Sequence, residues 1–190
     1  MLMVGNLKVG KSTMFSLLAG RKQDKFYHPD TDTELASSAI DSGEFQRLID
    51  APGVNSLYDR SEDAYLIRDL LSRRYAQGVL MVLDAKNLRR GLSLLLQVAA
   101  YGLPMVVALN MVDEASQRGM RIDVEKLSHT LGVPVVPTVA PEGRGLNQLK
   151  RAMAKARPLA LAPLLPPTIG QAWPPMEEIL ERHPLAARGF

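Results

Sequence analysis

The sequence predicts an α/β fold: a three-layer domain with a mostly parallel six-stranded sheet over residues 1–157, then a partial helical appendage over 158–190. Three observations predict it. The runs "GVLMVLD" (78–84) and "MVVALN" (105–110) are apolar without alternation, as strands covered on both faces must be. Stretches with apolar residues at helical spacing fall between such runs. The two kinds alternate along the chain, which favours crossover connections and a parallel sheet.

Met1 to Val4 is a short apolar run before a glycine and reads as a buried strand. Residues 11–19 carry Met14, Phe15, Leu17 and Leu18 and read as a helix ending near Gly20. Residues 21–33 are polar and irregular and read as a loop. Residues 34–40 and 44–49 flank Asp41-Ser42-Gly43, a hairpin signature. Asp59-Arg60-Ser61-Glu62 reads as a helix start with a capping box, and Leu66, Ile67, Leu70 and Leu71 follow at helical spacing. After the strand at 78–84 come a helix over 89–101, the strand at 105–110, a helix over 123–131, a strand over 133–138 and a helix over 146–156. Seven of the 13 prolines lie between Pro158 and Pro184, so 163–175 reads as a linker, with about two helical turns at 176–183.

Bulk composition excludes several classes. A chain of 190 residues, 46% hydrophobic, suits one domain with a sizeable core. The absence of cysteine rules out a disulfide framework and any thiolate metal site, and fits a reducing compartment. Met1 to Val4 runs straight into a glycine motif with no basic region or cleavage site, so no signal peptide is expected. The apolar stretch 92–112 is broken by Gln97, Gly102, Pro104 and Asn110, which suits a helix, turn and strand better than a membrane span. A net charge of +3 from scattered basic residues, with 5% aromatics, argues against a nucleic-acid partner.

Three motifs carry chemistry. "GNLKVGKST" (5–13) has the form G-x-x-x-x-G-K-[ST] and lies between a strand and a helix. Gly5 and Gly10 let the backbone turn and approach a ligand. The amides of Asn6, Leu7, Lys8, Val9 and Thr13 then join theirs in an anion-binding nest backed by the helix N-terminus. Lys11 would reach the β- and γ-phosphates and act in catalysis, and the Ser12 hydroxyl would ligate Mg²⁺. A chance match to this pattern in such a chain is about one in a hundred. "DAPG" (50–53) follows a strand; Asp50 can hold Mg²⁺ through water, and the Gly53 amide can sense a γ-phosphate. "NMVD" (110–113) also follows a strand. Asp113 can accept two hydrogen bonds that guanine offers and adenine does not, a selectivity on the order of 10⁴-fold. Asn110 would brace that loop beside Met111, and "TVA" (Thr138, Val139, Ala140) would bring the Ala140 amide to the guanine oxygen. The expected ligands are therefore GTP and GDP with Mg²⁺.

Together with "DAPGVNSL" (50–57), "VLDAKNLRRGLSLLLQ" (82–97), "GLPMVVALNMVDEA" (102–115) and "LGVPVVPT" (131–138), these motifs resemble the G domain of the bacterial ferrous-iron transporter B family, FeoB. The resemblance covers residues 1–157 and implies a Ras-like P-loop NTPase fold, then a helical domain, then a membrane permease. "HPLAARGF" (183–190) looks like the edge of that helical part. The implied role is a GTP-binding regulatory domain with slow hydrolysis, coupled to ferrous-iron uptake from the cytoplasmic face of the bacterial membrane. No permease sequence is present, so a truncated, soluble form of such a protein is expected. Two other readings stay open: a ribosome-assembly type of GTPase, and a guanine-nucleotide-gated binding module with negligible hydrolysis. Association with a second copy also stays open.

Departures from the family pattern matter as much. The family carries an asparagine, associated with K⁺ binding, where this chain has Lys8. Either the Lys8 ammonium takes the place of the ion, or it faces solvent and K⁺ stimulation is lost. The threonine that ligates Mg²⁺ in the family's first switch is replaced by Asp32, leaving Thr31 as the preferred ligand over Thr33. Val139 stands where many relatives have serine, which implies a less ordered base loop and faster nucleotide release. Val54 and Asn55 follow Gly53, so no residue positions water as glutamine does in Ras, and turnover on the order of 10⁻³ s⁻¹ or below is expected. His28, His129 and His183 lack metal-ligand spacing, so no iron site is expected. Met1, Met3, Met14, Met81 and Met105 are expected in the core, and Trp173 as an anchor for the tail.

Overall fold

The computed structural model describes residues 1–19, 23–28, 33–42, 45–73 and 75–159. The appendage with Trp173 and His183, the hairpin tip at Gly43, and the Thr31–Asp32 segment lie outside the described residues.

The sheet has seven strands rather than six. They are β1 (Leu2–Gly5), β2 (Asp24–Tyr27), β3 (Glu34–Ser42), β4 (Phe45–Asp50), β5 (Val79–Asp84), β6 (Met105–Asn110) and β7 (Val135–Pro137), in the order β2-β3-β4-β1-β5-β6-β7. The pairs β4–β1, β1–β5, β5–β6 and β6–β7 are parallel, while β2–β3 and β3–β4 are antiparallel. The extra strand, β2, falls in the segment expected to be a loop. None of its four residues is buried, so no apolar pattern marked it. It is an edge strand held by its ladder to β3 and by Lys25 Nζ, 2.9 Å from the Glu34 carboxylate.

Among the described residues six α-helices accompany the strands: α1 (Lys11–Ala19), α2 (Glu62–Ser72), α3 (Leu88–Ala99), α4 (Val112–Gln117), α5 (Val124–Leu131) and α6 (Leu146–Met153). The capping box expected at α2 is half present. Ser61 Oγ accepts from the Ala64 amide at 3.2 Å, but Ala64 has no side chain to reach back. The short α4 gave no periodic signal and starts from Met111 in a left-handed conformation.

β1, β5 and β6 are buried along their whole length, as strands covered on both faces should be. On one face Met3, Leu80, Val82, Val106 and Ala108 pack with Met14, Phe15 and Leu18 of α1 and Leu149 and Met153 of α6. On the other, Leu83 meets α3 so closely that a Cβ on Gly91 would lie 2.8 Å from its Cδ2. The five methionines assigned to the core are all buried. After α6 the chain returns to the sheet, where the Met105 amide donates to Arg157 O at 2.9 Å. The C-terminal ends of β1, β4, β5 and β6 therefore open on one edge, where ligands of parallel α/β sheets bind.

Candidate guanine-nucleotide site

The first loop leaves β1 at Gly5, where a Cβ would lie 2.6 Å from Val82 O. Only glycine lets the backbone run that close to β5. Gly10 has φ +81°, and a Cβ there would stand 2.5 Å from Asn110 Nδ2. Lys8 also has positive φ, 64°, costing a side chain of its kind on the order of 1 kcal/mol. Asn6 is buried and donates through Nδ2 to Val54 O at 3.1 Å, while the Val54 amide donates to Gly5 O at 3.2 Å. The phosphate loop is thus stitched to the loop after β4. Gly53 belongs to the same seam, since a Cβ there would lie 3.2 Å from Leu7 Cα.

Lys11 opens α1 and is 8% exposed. Its Nζ lies 2.5 Å from Asp50 Oδ1 and also donates to Ala51 O. The register pairs Met3 with Asp50, so the carboxylate ends the strand beside the phosphate loop. The lysine and the aspartate expected to serve phosphate and Mg²⁺ therefore hold each other. Ser12 and Thr13 are exposed in the first turn of α1. Ser12 follows Lys11, which holds Asp50, and a hydroxyl with a carboxylate is a set of hard oxygen donors that suits Mg²⁺. Thr31, the other expected Mg²⁺ ligand, lies outside the described residues.

Asn110 is the hub of the opposite side. It is 1% exposed and ends β6. Its Nδ2 donates to Val9 O at 2.9 Å, and its Oδ1 accepts from Thr138 Oγ1 at 3.2 Å and from the Ala140 amide at 3.0 Å. One amide thus joins the phosphate loop to the loop after β7. The Ala140 amide, expected to meet the guanine oxygen, is in this arrangement given to Asn110. Thr138 and Val139 are buried and act as supports of the loop. Met111 has φ 61° and turns the chain so that half-exposed Asp113 falls in the first turn of α4.

Several residues of the site were not singled out by motif. Gln97 Oε1 accepts from Ser56 Oγ at 3.1 Å and from the Leu57 amide at 2.7 Å. Its signal was present: a lone amide interrupting an apolar stretch. Arg68 of α2 donates to Leu57 O and to Asp59 O, and Arg90 of α3 donates to Asn55 Oδ1. A cleft of about 470 Å³ beside the phosphate loop is lined by exposed Lys8 with Lys86, Arg90 and the Asp84 carboxylate.

Strand order, phosphate loop and Asn110 hub together define a P-loop GTPase domain of the G-domain class. The sequence profile described as Ferrous iron transport protein B matches residues 1–153, and the chain belongs to that family. It is 37% identical over 156 residues to the Fe(2+) transporter FeoB of Salmonella typhimurium and 35% identical to that of Escherichia coli, matching 80% of this chain and 20% of each relative. The chain spans about a fifth of the length of the curated relatives it matches. Among solved structures it resembles a mutant S. thermophilus NFeoB bound to GDP, with TM-score 0.75 and 35% identity over 82% of this chain and 61% of that one. The G domain of T. maritima FeoB gives TM-score 0.73 and 32% identity over 81% and 95%. The T. maritima cytosolic domain in GMPPNP form gives 0.74 and 34% over 81% and 62%. Among the described residues no helix is long and apolar enough to cross a membrane.

Proposed function

We propose that residues 1–157 bind GDP and GTP, hydrolyse GTP slowly with Mg²⁺, and in the parent protein regulate passage of ferrous iron across the cytoplasmic membrane. The observation that carries this is the Asn110 hub, which ties the Val9 carbonyl to the loop that would frame a base. It joins the phosphate loop to the loop after β7, and Asp113, three residues on in the first turn of α4, is the residue we assign to guanine.

The amides of residues 5–13 bind the diphosphate, with Lys11 neutralising the β- and γ-oxygens. Lys11 lies 2.5 Å from Asp50, so the ammonium assigned to phosphate and the carboxylate assigned to Mg²⁺ stand side by side. Ser12 and, through water, Asp50 would hold Mg²⁺, with Thr31 from the first switch; bound there, the ion would offset charge on the phosphates. No described residue stands as a general base, so positioning and charge stabilisation provide the rate, and slow turnover follows. Lys8 shares its cleft with Lys86, which pairs with Glu114, and with Arg90 and Asp84, so a tethered ammonium already stands where a monovalent cation would be wanted. Turnover is therefore expected to be equal in K⁺ and Na⁺ buffers; strong K⁺ stimulation would refute this role for Lys8.

The test is calorimetry of GDP, GTP and ATP with and without Mg²⁺, followed by phosphate release. GDP and GTP should bind and ATP should not, with release slow but measurable. Absence of any guanine-nucleotide binding at millimolar concentration would end the reading. Binding without phosphate release would leave a nucleotide-gated module in place of an enzyme.

A further inference from the structure

His28 closes β2 at the root of the first switch, and its amide donates to Thr33 O at 3.0 Å across the loop. Although it follows an exposed edge strand, the residue is only 2% exposed. Its Nε2 lies 2.9 Å from Asp69 Oδ2. Asp69 is on the side of α2 that buries Leu66, Ile67 and Leu70. A carboxylate among such neighbours is costly unless paired, and two partners meet it. His28 Nε2 stands against Oδ2 at ion-pair distance but outside hydrogen-bond geometry, while Arg73 Nε stands 2.9 Å from Oδ1. Tyr75 closes over the imidazole edge-on, with centroids 5.9 Å apart and planes at 74°.

The preceding residue of α2 holds the other loop. Arg68 donates to Leu57 O and Asp59 O, in the segment that follows Gly53. Two consecutive residues of one helix therefore grip the two segments expected to respond to a γ-phosphate. We propose that His28 and Asp69 form a latch that fastens the root of the first switch to α2, so that α2 takes its position from both nucleotide-sensing loops and reports the bound state at its solvent face. His28 is a positioning residue here; it touches no ligand. The coupling rests on the guanine-nucleotide reading above, whereas the fastening itself does not.

The test is amide hydrogen exchange of residues 62–72 in the full chain, without nucleotide, with GDP and with the non-hydrolysable analogue GMPPNP. In the nucleotide-free chain, His28→Ala should speed α2 exchange about tenfold, and His28→Gln, whose amide offers Asp69 a donor of similar reach, should restore most of it. With nucleotide, exchange of α2 should differ about fivefold between GDP and GMPPNP in the parent sequence and less than twofold in His28→Ala, while protection of residues 5–13 is kept. Arg73→Ala, which opens the other side of Asp69, should retain the difference between nucleotides. Unchanged α2 exchange in His28→Ala without nucleotide overturns the latch. An equal collapse in Arg73→Ala overturns the coupling and leaves a merely structural contact. If calorimetry shows no nucleotide binding, the functional reading fails and the nucleotide-free comparison alone decides the latch.

Discussion

All six residues of β6 are buried, and the Asn110 that ends it is 1% exposed. At the other side of the sheet, β2 buries none of its four residues. The difference separates the two jobs of the site. The loops after β1 and β6 hang from strands buried along their whole length and share one buried amide, so that half is held rigidly. The first-switch edge is held by a backbone ladder, an exposed ion pair and the His28 contact. A segment that must rearrange with the γ-phosphate belongs at this low-stability end.

The strongest way to break the contrast is Asn110→Ala. It strands Val9 O and the Ala140 amide, each a buried group whose lost partner costs about 1–3 kcal/mol. A loss on the order of 3 kcal/mol should lower Tm by roughly 6–12 °C for a domain of this size, read by calorimetric melting. Asn110→Asp keeps the acceptor for Ala140 but sets a carboxylate oxygen against Val9 O and buries a charge, so its loss should be at least as large as that of the alanine variant. A melt unchanged by either would mean the hub is not what holds the two loops.

Asp113→Asn sharpens the same side by separating binding from stability. The side chain is half-exposed at the start of α4 and supports no buried group, so Tm should stay within about 1 °C. GDP affinity should fall on the order of 100-fold, because one of the paired acceptors becomes a donor facing the guanine amino group. Xanthosine diphosphate, which carries oxygen in place of that amino group, should gain affinity. Isothermal titration with both nucleotides checks this; equal losses for the two would show that Asp113 does not read the base.

The same contrast explains what was legible from residues alone. Strands covered on both faces announce themselves by uninterrupted apolar runs, so β1, β5 and β6 and the loops at their ends could be placed. The strand-end positions of Asp50 and Asn110 followed from that placement together with the phosphate-loop spacing. β2 could not, because Asp24-Lys25-Phe26-Tyr27 is stabilised by backbone pairing that leaves no mark on residue type. The Lys11–Asp50 contact and the Asn110–Ala140 bond were invisible for another reason. Each motif names a group for its ligand, and neither says where the group rests without one. His28 stood out only as a solitary histidine; its partner on α2 is 41 residues away, and nothing in local sequence joins them.

The smallest effect belongs to the exposed edge. Lys25 and Glu34 face each other across β2 and β3 with 61% and 46% of their side-chain surface in water. The hydrogen bond and charge of Glu34 raise the Lys25 pKa above its usual 10.5. A raised folded-state value means that whatever the pair adds is present below about 10.5 and fades as pH climbs through the folded value. Screening by solvent makes that addition too small to see in a melt at neutral pH. Glu34→Gln should therefore leave Tm unchanged, while amide exchange in residues 24–27 quickens modestly, by about twofold. A Tm loss as large as that of Asn110→Ala would overturn the division drawn between the two sides of the sheet, since it would make the exposed edge as structurally committed as the buried hub.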